Sequence, residues 1–128
     1  NNAIYAPNGR AIVANGMVAQ ITAIANAGTG SLSGVASGFN AGGQIASDFF
    51  AASLAGAPPQ NVVPKSALLV GTADSSSLPY DDFAGVARGA HHDIGAFRAI
   101  ASGDPGWALA AAFKVLDGIF AGDFESHP

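Results

Sequence analysis

The stretch FAGVARGAHHDIGAF, residues 83–97, places its apolar side chains at the three- and four-residue spacing of an amphipathic helix. The positions that share this spacing are Phe83, Val86, Ala87, Ala90, Ile94 and Phe97. With its flanks, the stretch predicts a helix over about residues 79–101. Similar spacing predicts helices over residues 11–27, 32–55, 62–73 and 105–121, although residues 62–70 also suit a buried strand. The sequence therefore predicts an all-α fold, a bundle of about five helices.

The composition restricts the classes of function open to the chain. Only 11% of its 128 residues are charged, against about 25% in ordinary soluble domains. Such a surface indicates either an apolar patch that meets a partner or ligand, or a protein rich in alanine. The net charge is −4 and the five basic residues are scattered, so we expect no nucleic-acid partner. The chain has no cysteine, which excludes disulfides and thiolate chemistry.

Sequence motifs of catalysis and of membrane insertion are both missing. The chain shows no GxSxG elbow, P-loop or dinucleotide fingerprint, and no HExxH zinc motif. Acid–base chemistry would depend on His91 with Asp93 or His127, so we predict that the protein is not an enzyme. No apolar run reaches the roughly 18 residues that a transmembrane helix needs, so we expect no transmembrane span.

His91 is the candidate metal ligand. Neighbouring residues of a helix point about 100° apart, so His91 and His92 cannot face one site. On the predicted helix, His91 lies at the edge of the apolar stripe, beside Ala87 and Ile94. That position suits a single axial ligand, direct or through water, for the metal of a tetrapyrrole. A lone histidine at the edge of a helix is more often an ordinary surface or core residue.

Four short segments together resemble a known repeat. They are LVGTAD at residues 69–74, AHHDIG at 90–95, Trp107 followed by Ala111-Ala112, and IASDFFAA at 45–52. In this combination they resemble the repeat unit of the peridinin–chlorophyll a proteins, the water-soluble light-harvesting antennae of dinoflagellates. The resemblance covers about residues 40–120 as a partial, divergent single repeat, with one residue fewer before Ile94-Gly95 and without the closing helices. It divides the chain into an N-terminal helical extension, 1–38, and a repeat-like domain, 39–128.

The resemblance implies a helical basket that holds chlorophyll a and peridinin or another carotenoid. His91 would bind the chlorophyll magnesium through a water molecule. The side chains implied to line the pigment space are Phe49, Phe50, Val86, Ala87, Ile94, Phe97, Trp107 and Phe113. The implied function is light harvesting, alone or as a lumenal subunit of a photosystem–antenna complex in the chloroplast thylakoid, with photosystem or antenna subunits or a second copy as protein partners. The alternative is a structural or protein-interaction helical subunit without pigment in a larger assembly.

Overall fold

Strands, and not helices, dominate the computed structural model, which describes residues 1–16, 21–57 and 60–104. The strands are β1 (Ala3–Val13), β2 (Asn26–Ser33), β3 (Phe39–Asn40), β4 (Phe49–Ala51) and β5 (Asn61–Pro64). Within these residues the helical elements are one short helix, α1 (Ile45–Asp48), and a 3₁₀ turn, Ser75–Ser77. The predicted all-α bundle is therefore wrong. The helix predicted over residues 105–121 lies outside the described residues.

The first sheet is parallel and has the order β1-β2-β3. Ala3 pairs with Ala27 and Tyr5 with Thr29, and Asn26 pairs in turn with Phe39. Parallel neighbours need a crossover that carries the chain back to the start of the next strand, and this crossover is usually a helix. Here residues 14–16, 21–25 and 34–38 of the two crossovers contain no helix. Over these residues the chain thus passes from one parallel strand to the next without a helix. We call one strand together with the crossover that follows it a coil.

Glycines allow the two long strands to approach each other. A side chain at Gly28 would place its Cβ 1.9 Å from the carbonyl oxygen of Ile4, and the φ of Gly28 is +141°. Only glycine adopts this backbone conformation without strain. Gly34 and Gly38, inside the helix predicted over residues 32–55, have φ values of +76° and +91°. A right-handed helix cannot contain such residues, which is the physical reason for the wrong prediction.

The second sheet contributes Phe49 and Val63 to the buried core. It pairs β4 with β5 in antiparallel fashion, with Phe49 opposite Pro64. Phe49 is buried, whereas Phe50, the next residue along the strand, faces outward. Phe49 belongs to a buried cluster whose other members are Ala27, Ala52, Leu69 and Ile94. The strand considered over residues 62–70 is present only as far as Pro64, where β5 ends.

Hydrogen bonds from the backbone to side chains determine the conformation of residues 79–101, where the sequence predicts a helix with an apolar face. The buried Asp82 accepts hydrogen bonds at Oδ1 from the N–H groups of Ala84 and Val86, at 2.9 and 3.1 Å. Its other oxygen accepts from the N–H of Arg98 at 3.1 Å. These bonds fold the chain into turns, because an aspartate that binds N–H groups two and four residues ahead competes with helix formation. The helix carrying His91 and His92 was therefore predicted wrongly.

Arg88 and Asp93 complete this arrangement from the inside. The buried guanidinium of Arg88 donates to the carbonyl oxygens of Asp93, Gly95 and Ala96. The carboxylate of Asp93, which is 1% exposed, accepts from the N–H of Gly71 at 2.8 Å and from Ala99. Charged side chains thus satisfy backbone groups that a helix or sheet would otherwise pair. The part of the chain that the structure describes has no helix with the length and apolar character to cross a bilayer.

Candidate functional site

An open cavity of about 800 Å³ lies beside β1. Three walls come from different elements: β1, the segment from α1 through β5, and the loop region after residue 76. The apolar side chains that line it are Ala3, Tyr5, Ile45, Phe49, Val62, Leu78, Pro79, Phe83 and Ala96. Its volume falls within the range of about 300–1,000 Å³ for ligand pockets. The cavity leaves part of the apolar interior between the two sheets uncovered.

Tyr5 and Asp48 form the polar contact at the cavity wall. The Tyr5 hydroxyl donates to Asp48 Oδ2 at 2.7 Å, and the N–H of Gln44 donates to the same oxygen at 2.7 Å. Burial, together with this hydrogen bond to a carboxylate, raises the pKa of Tyr5 well above its ordinary value. Tyr5 therefore stays protonated at neutral pH and acts as a hydrogen-bond donor. A phenol in this state cannot serve as a general base.

The ionisable groups on the opposite wall are Asp81, Asp82 and Arg88. Asp81 is exposed, whereas Asp82 and Arg88 are buried and bind the backbone of their own loop. Asp82 uses both carboxylate oxygens on backbone N–H groups, whereas the buried Nε of Arg88 has no hydrogen-bond partner within the described residues. Within residues 1–16, 21–57 and 60–104, no group of three histidine or acidic side chains is arranged to hold a metal ion. The chemistry that the cavity offers is apolar contact along an open strand.

The outer edge of β1 is the second feature of the site. Ala27 donates its N–H to the carbonyl oxygen of Asn2 at 3.0 Å, so the peptide groups of Asn2 face β2. Since consecutive residues of a strand direct these groups to opposite sides, the N–H and C=O of Ala3 face away from β2. No other strand of the described chain pairs with this edge. Just before β1, the carbonyl oxygen of Asn1 accepts from the N–H of Gly95 at 3.3 Å, so the unpaired part of this edge begins at Ala3. An unpaired edge of this kind is a template for strand addition.

Two asparagines mark the same edge. Asn26 is buried, and its Oδ1 accepts from both the N–H and the Nδ2 of Asn2, at 3.0 and 2.9 Å. The Nδ2 of Asn26 donates onward to the carbonyl oxygen of Gly38 at 3.1 Å. We call this series, Asn2 to Asn26 to Gly38, the asparagine ladder. The repeated Asn-Ala pairs at 2–3 and 26–27 were its only sequence signal, and a helical interpretation gave them no role.

The structure separates most of the predicted pigment-binding residues. Phe49 and Ile94 meet in the core cluster, and Phe97 packs edge-to-face against Phe83 with ring centroids 5.9 Å apart. Of the seven predicted residues that the structure describes, Phe49 alone lines the cavity. Phe50, Val86, Ala87 and His91 are exposed. Trp107 and Phe113 lie outside the described residues.

His91 lies in a turn and not on a helix face. Its side chain is 52% exposed, and its Nδ1 is 4.0 Å from Asp93 Oδ2. The angular argument that separated it from His92 does not apply, because it assumed a helix. Magnesium ligation by His91 stays a prediction.

The photosynthetic interpretation needs correction. It depended on helices at residues 45–52, 69–74 and 90–95, where the structure has one turn of helix, a strand and turns. Without the helical repeat, light harvesting, pigments and a chloroplast location lose their basis. The comparisons supply no substitute: the sequence matches no protein-family model, and no curated protein or solved structure is significantly similar to it.

Proposed function

We propose that this chain is a non-catalytic assembly module that takes up a β-strand of another polypeptide at the outer edge of β1. One observation carries the proposal: an 11-residue edge strand runs beside an uncovered apolar cavity. Proteins usually protect long edge strands with charges, prolines or a covering element. The second half of β1 has such protection, since it contains Pro7 and Arg10 and its register with β2 shifts on both sides of Arg10. The first residues of β1, 3–6, contain neither a charge nor a proline, and they include the two that border the cavity.

The second support is the kind of sheet. Parallel sheets are normally covered on both faces, because the crossovers place other elements against them. Here Ala3 and Tyr5 of β1 border the cavity, and their side chains are only partly buried. A strand added at the edge would pair with the free peptide groups of β1, while its flanking residues would fill the cavity. Backbone pairing supplies affinity and the cavity supplies selectivity in this mode of recognition.

The polar groups favour assembly over catalysis. Tyr5 is held as a donor to Asp48, and Asp82 and Arg88 bind backbone groups of their own loop. These contacts keep the walls of the cavity rigid. The low charge of the chain, 11%, agrees with a surface that is covered in an assembly.

A pair of proline substitutions tests the proposal. Ala3→Pro removes an N–H that faces the free edge, whereas Ile4→Pro removes one that faces β2. In the purified chain a second copy is the available strand donor, so we expect concentration-dependent self-association in sedimentation equilibrium. Ala3→Pro should weaken this association and leave the circular dichroism unchanged, while Ile4→Pro should lower stability. Strictly monomeric behaviour, or association that Ala3→Pro does not change, would contradict the proposal.

A further inference from the structure

We infer that the strand that pairs with the outer edge of β1 runs parallel to β1 and carries an asparagine in register with Asn2. The asparagine ladder would then continue onto the added strand. This inference rests on the proposed function and specifies the chemistry of its partner. The observation that carries it is the pattern of donors and acceptors along the ladder.

The ladder has a direction. Asn2 donates twice to Asn26, and Asn26 donates to Gly38, so each side-chain amide gives its hydrogen to the neighbour that follows it in the sheet. Each side-chain oxygen is therefore available to accept hydrogen bonds from the asparagine of the preceding strand. Asn26 uses its oxygen in this way, because both hydrogens from Asn2 meet it.

The ladder is open at Asn2. Asn2 is exposed, and within the described residues no donor is hydrogen-bonded to its Oδ1. Asn26, one strand further in, is 6% exposed and has both its amide atoms bonded. A strand that repeats the relation of β1 to β2 would bring the N–H and Nδ2 of its own asparagine onto Asn2 Oδ1. An asparagine at this position would supply both donors, whereas a carboxylate side chain would supply none.

The register fixes the direction of the added strand. Asn2 and Asn26 are 24 residues apart, and the same offset relates Ala3 to Ala27 and Ile4 to Gly28. The offset is constant from Asn2 to Tyr5, and register shifts follow before Arg10 and before Ile12. Parallel alignment at constant offset, as at the start of β1, stacks like side chains into ladders. Because the free peptide groups of Ala3 lie on the outer side, the next coil would pair there as β1 pairs with β2. Stacked coils of this kind stabilise one another through nearest-neighbour contacts.

Extension of the full chain by one coil tests the inference without a partner of known identity. A copy of residues 1–24 is fused directly before Asn1, which places the copied asparagine one offset ahead of Asn2. The matched controls carry Asn2→Ala within the added copy, or the same residues in scrambled order. All three extensions replace the α-ammonium of Asn1, which bonds Ile24 and Asn26, so this loss cancels between them.

We expect the unscrambled copy to raise Tm by about 5 °C over the scrambled one, the shift typical of a modest gain in stability for a domain of this size. Asn2→Ala within the copy should remove a large part of that rise. Hydrogen exchange at the N–H of Ala3 should slow with the unscrambled copy. Equal rises with and without the copied asparagine would overturn the ladder and leave strand addition intact. No rise and no protection in any extension would overturn both proposals.

Discussion

The Tyr5 hydroxyl bonds Asp48 Oδ2 at 2.7 Å and so ties the parallel sheet to the antiparallel one. Tyr5 lies on β1, and Asp48 ends α1 immediately before β4. The carbonyl oxygen of Asp48 accepts from the N–H of Lys65, which follows β5. The Tyr5 ring also meets the Phe49 ring edge-on, with centroids 5.7 Å apart. One polar contact and one aromatic contact thus hold the two sheets in place around the cavity.

Removal of the Tyr5 hydroxyl should destabilise the fold. In Tyr5→Phe the buried Asp48 carboxylate keeps the backbone N–H of Gln44 and loses the hydroxyl of Tyr5. A hydrogen bond to a charged group contributes about 1.5–3 kcal/mol, and we expect a loss of that size in urea denaturation. Tyr80→Phe is the matched control, because Tyr80 is 80% exposed. Similar stabilities of the two variants would show that the Tyr5–Asp48 bond is of no consequence.

Alkaline pH should weaken the fold through the same residue. The pKa of Tyr5 in the folded chain is raised above the ordinary 10.0, first by burial and then by its bond to Asp48. The unfolded chain therefore loses this proton at lower pH than the folded chain. The stabilisation is complete below about pH 10 and is lost as the pH rises toward the folded pKa. Ultraviolet titration of Tyr80→Phe, in which Tyr5 is the one tyrosine left, should show ionisation above pH 10; ionisation near pH 10 in the folded chain would contradict this.

Replacement of Arg88 by lysine should destabilise the fold. Its guanidinium reaches the carbonyl oxygens of Asp93, Gly95 and Ala96 from a buried position. A lysine ammonium cannot span all three, and each buried acceptor left without a donor costs about 1–3 kcal/mol. We expect Arg88→Lys to lower the free energy of unfolding by at least about 2 kcal/mol in urea denaturation. Arg10→Lys, at an exposed position of β1, should change it by less than about 0.5 kcal/mol.

Two glycine substitutions should distinguish the cost of a steric clash from the cost of an unfavourable backbone conformation. Gly28→Ala would drive a methyl group into the Ile4 carbonyl, at 1.9 Å, and should cost at least about 2–3 kcal/mol. Gly71 also has a positive φ, +72°, but nothing lies within 4 Å of its would-be Cβ. Gly71→Ala should therefore cost about 1–2 kcal/mol, the conformational part alone. Thermal unfolding of both variants measures the difference, and equal losses would show that β1 and β2 can move apart.

Little of the fold could be predicted from the sequence, and the reasons are physical. Apolar residues at positions 83–97 have helical spacing, yet the chain there follows the hydrogen bonds of Asp82, Arg88 and Asp93. The spacing of apolar residues does not show which polar side chains bind the backbone, and these three polar residues determine its conformation. In β2 the sequence NAGTGSLS shows no alternation of large apolar residues, since the close approach of β1 favours small ones.

Local sequence patterns could not predict the candidate site either. Phe49 was assigned to the ligand space and does line the cavity, but for a helical fold that the structure contradicts. Tyr5 and Asp48 are separated by 43 residues, and no spacing rule connects them. The exposed edge of β1 depends on which strands pair, and that is a property of the whole fold.

The contacts of Asn1 set an order of events during synthesis. Its side chain donates to the carbonyl oxygen of Asp74 and accepts from the N–H of Asp74, across 73 residues of sequence. Contacts of such long range slow folding, because a long stretch of chain must be ordered before they form. On a ribosome that adds about 5–20 residues per second, the Asn1 end of β1 must wait several seconds for Asp74 to emerge. β2 emerges earlier and can pair with one edge of β1, so during that interval the outer edge is the one open to chaperones and to neighbouring nascent chains.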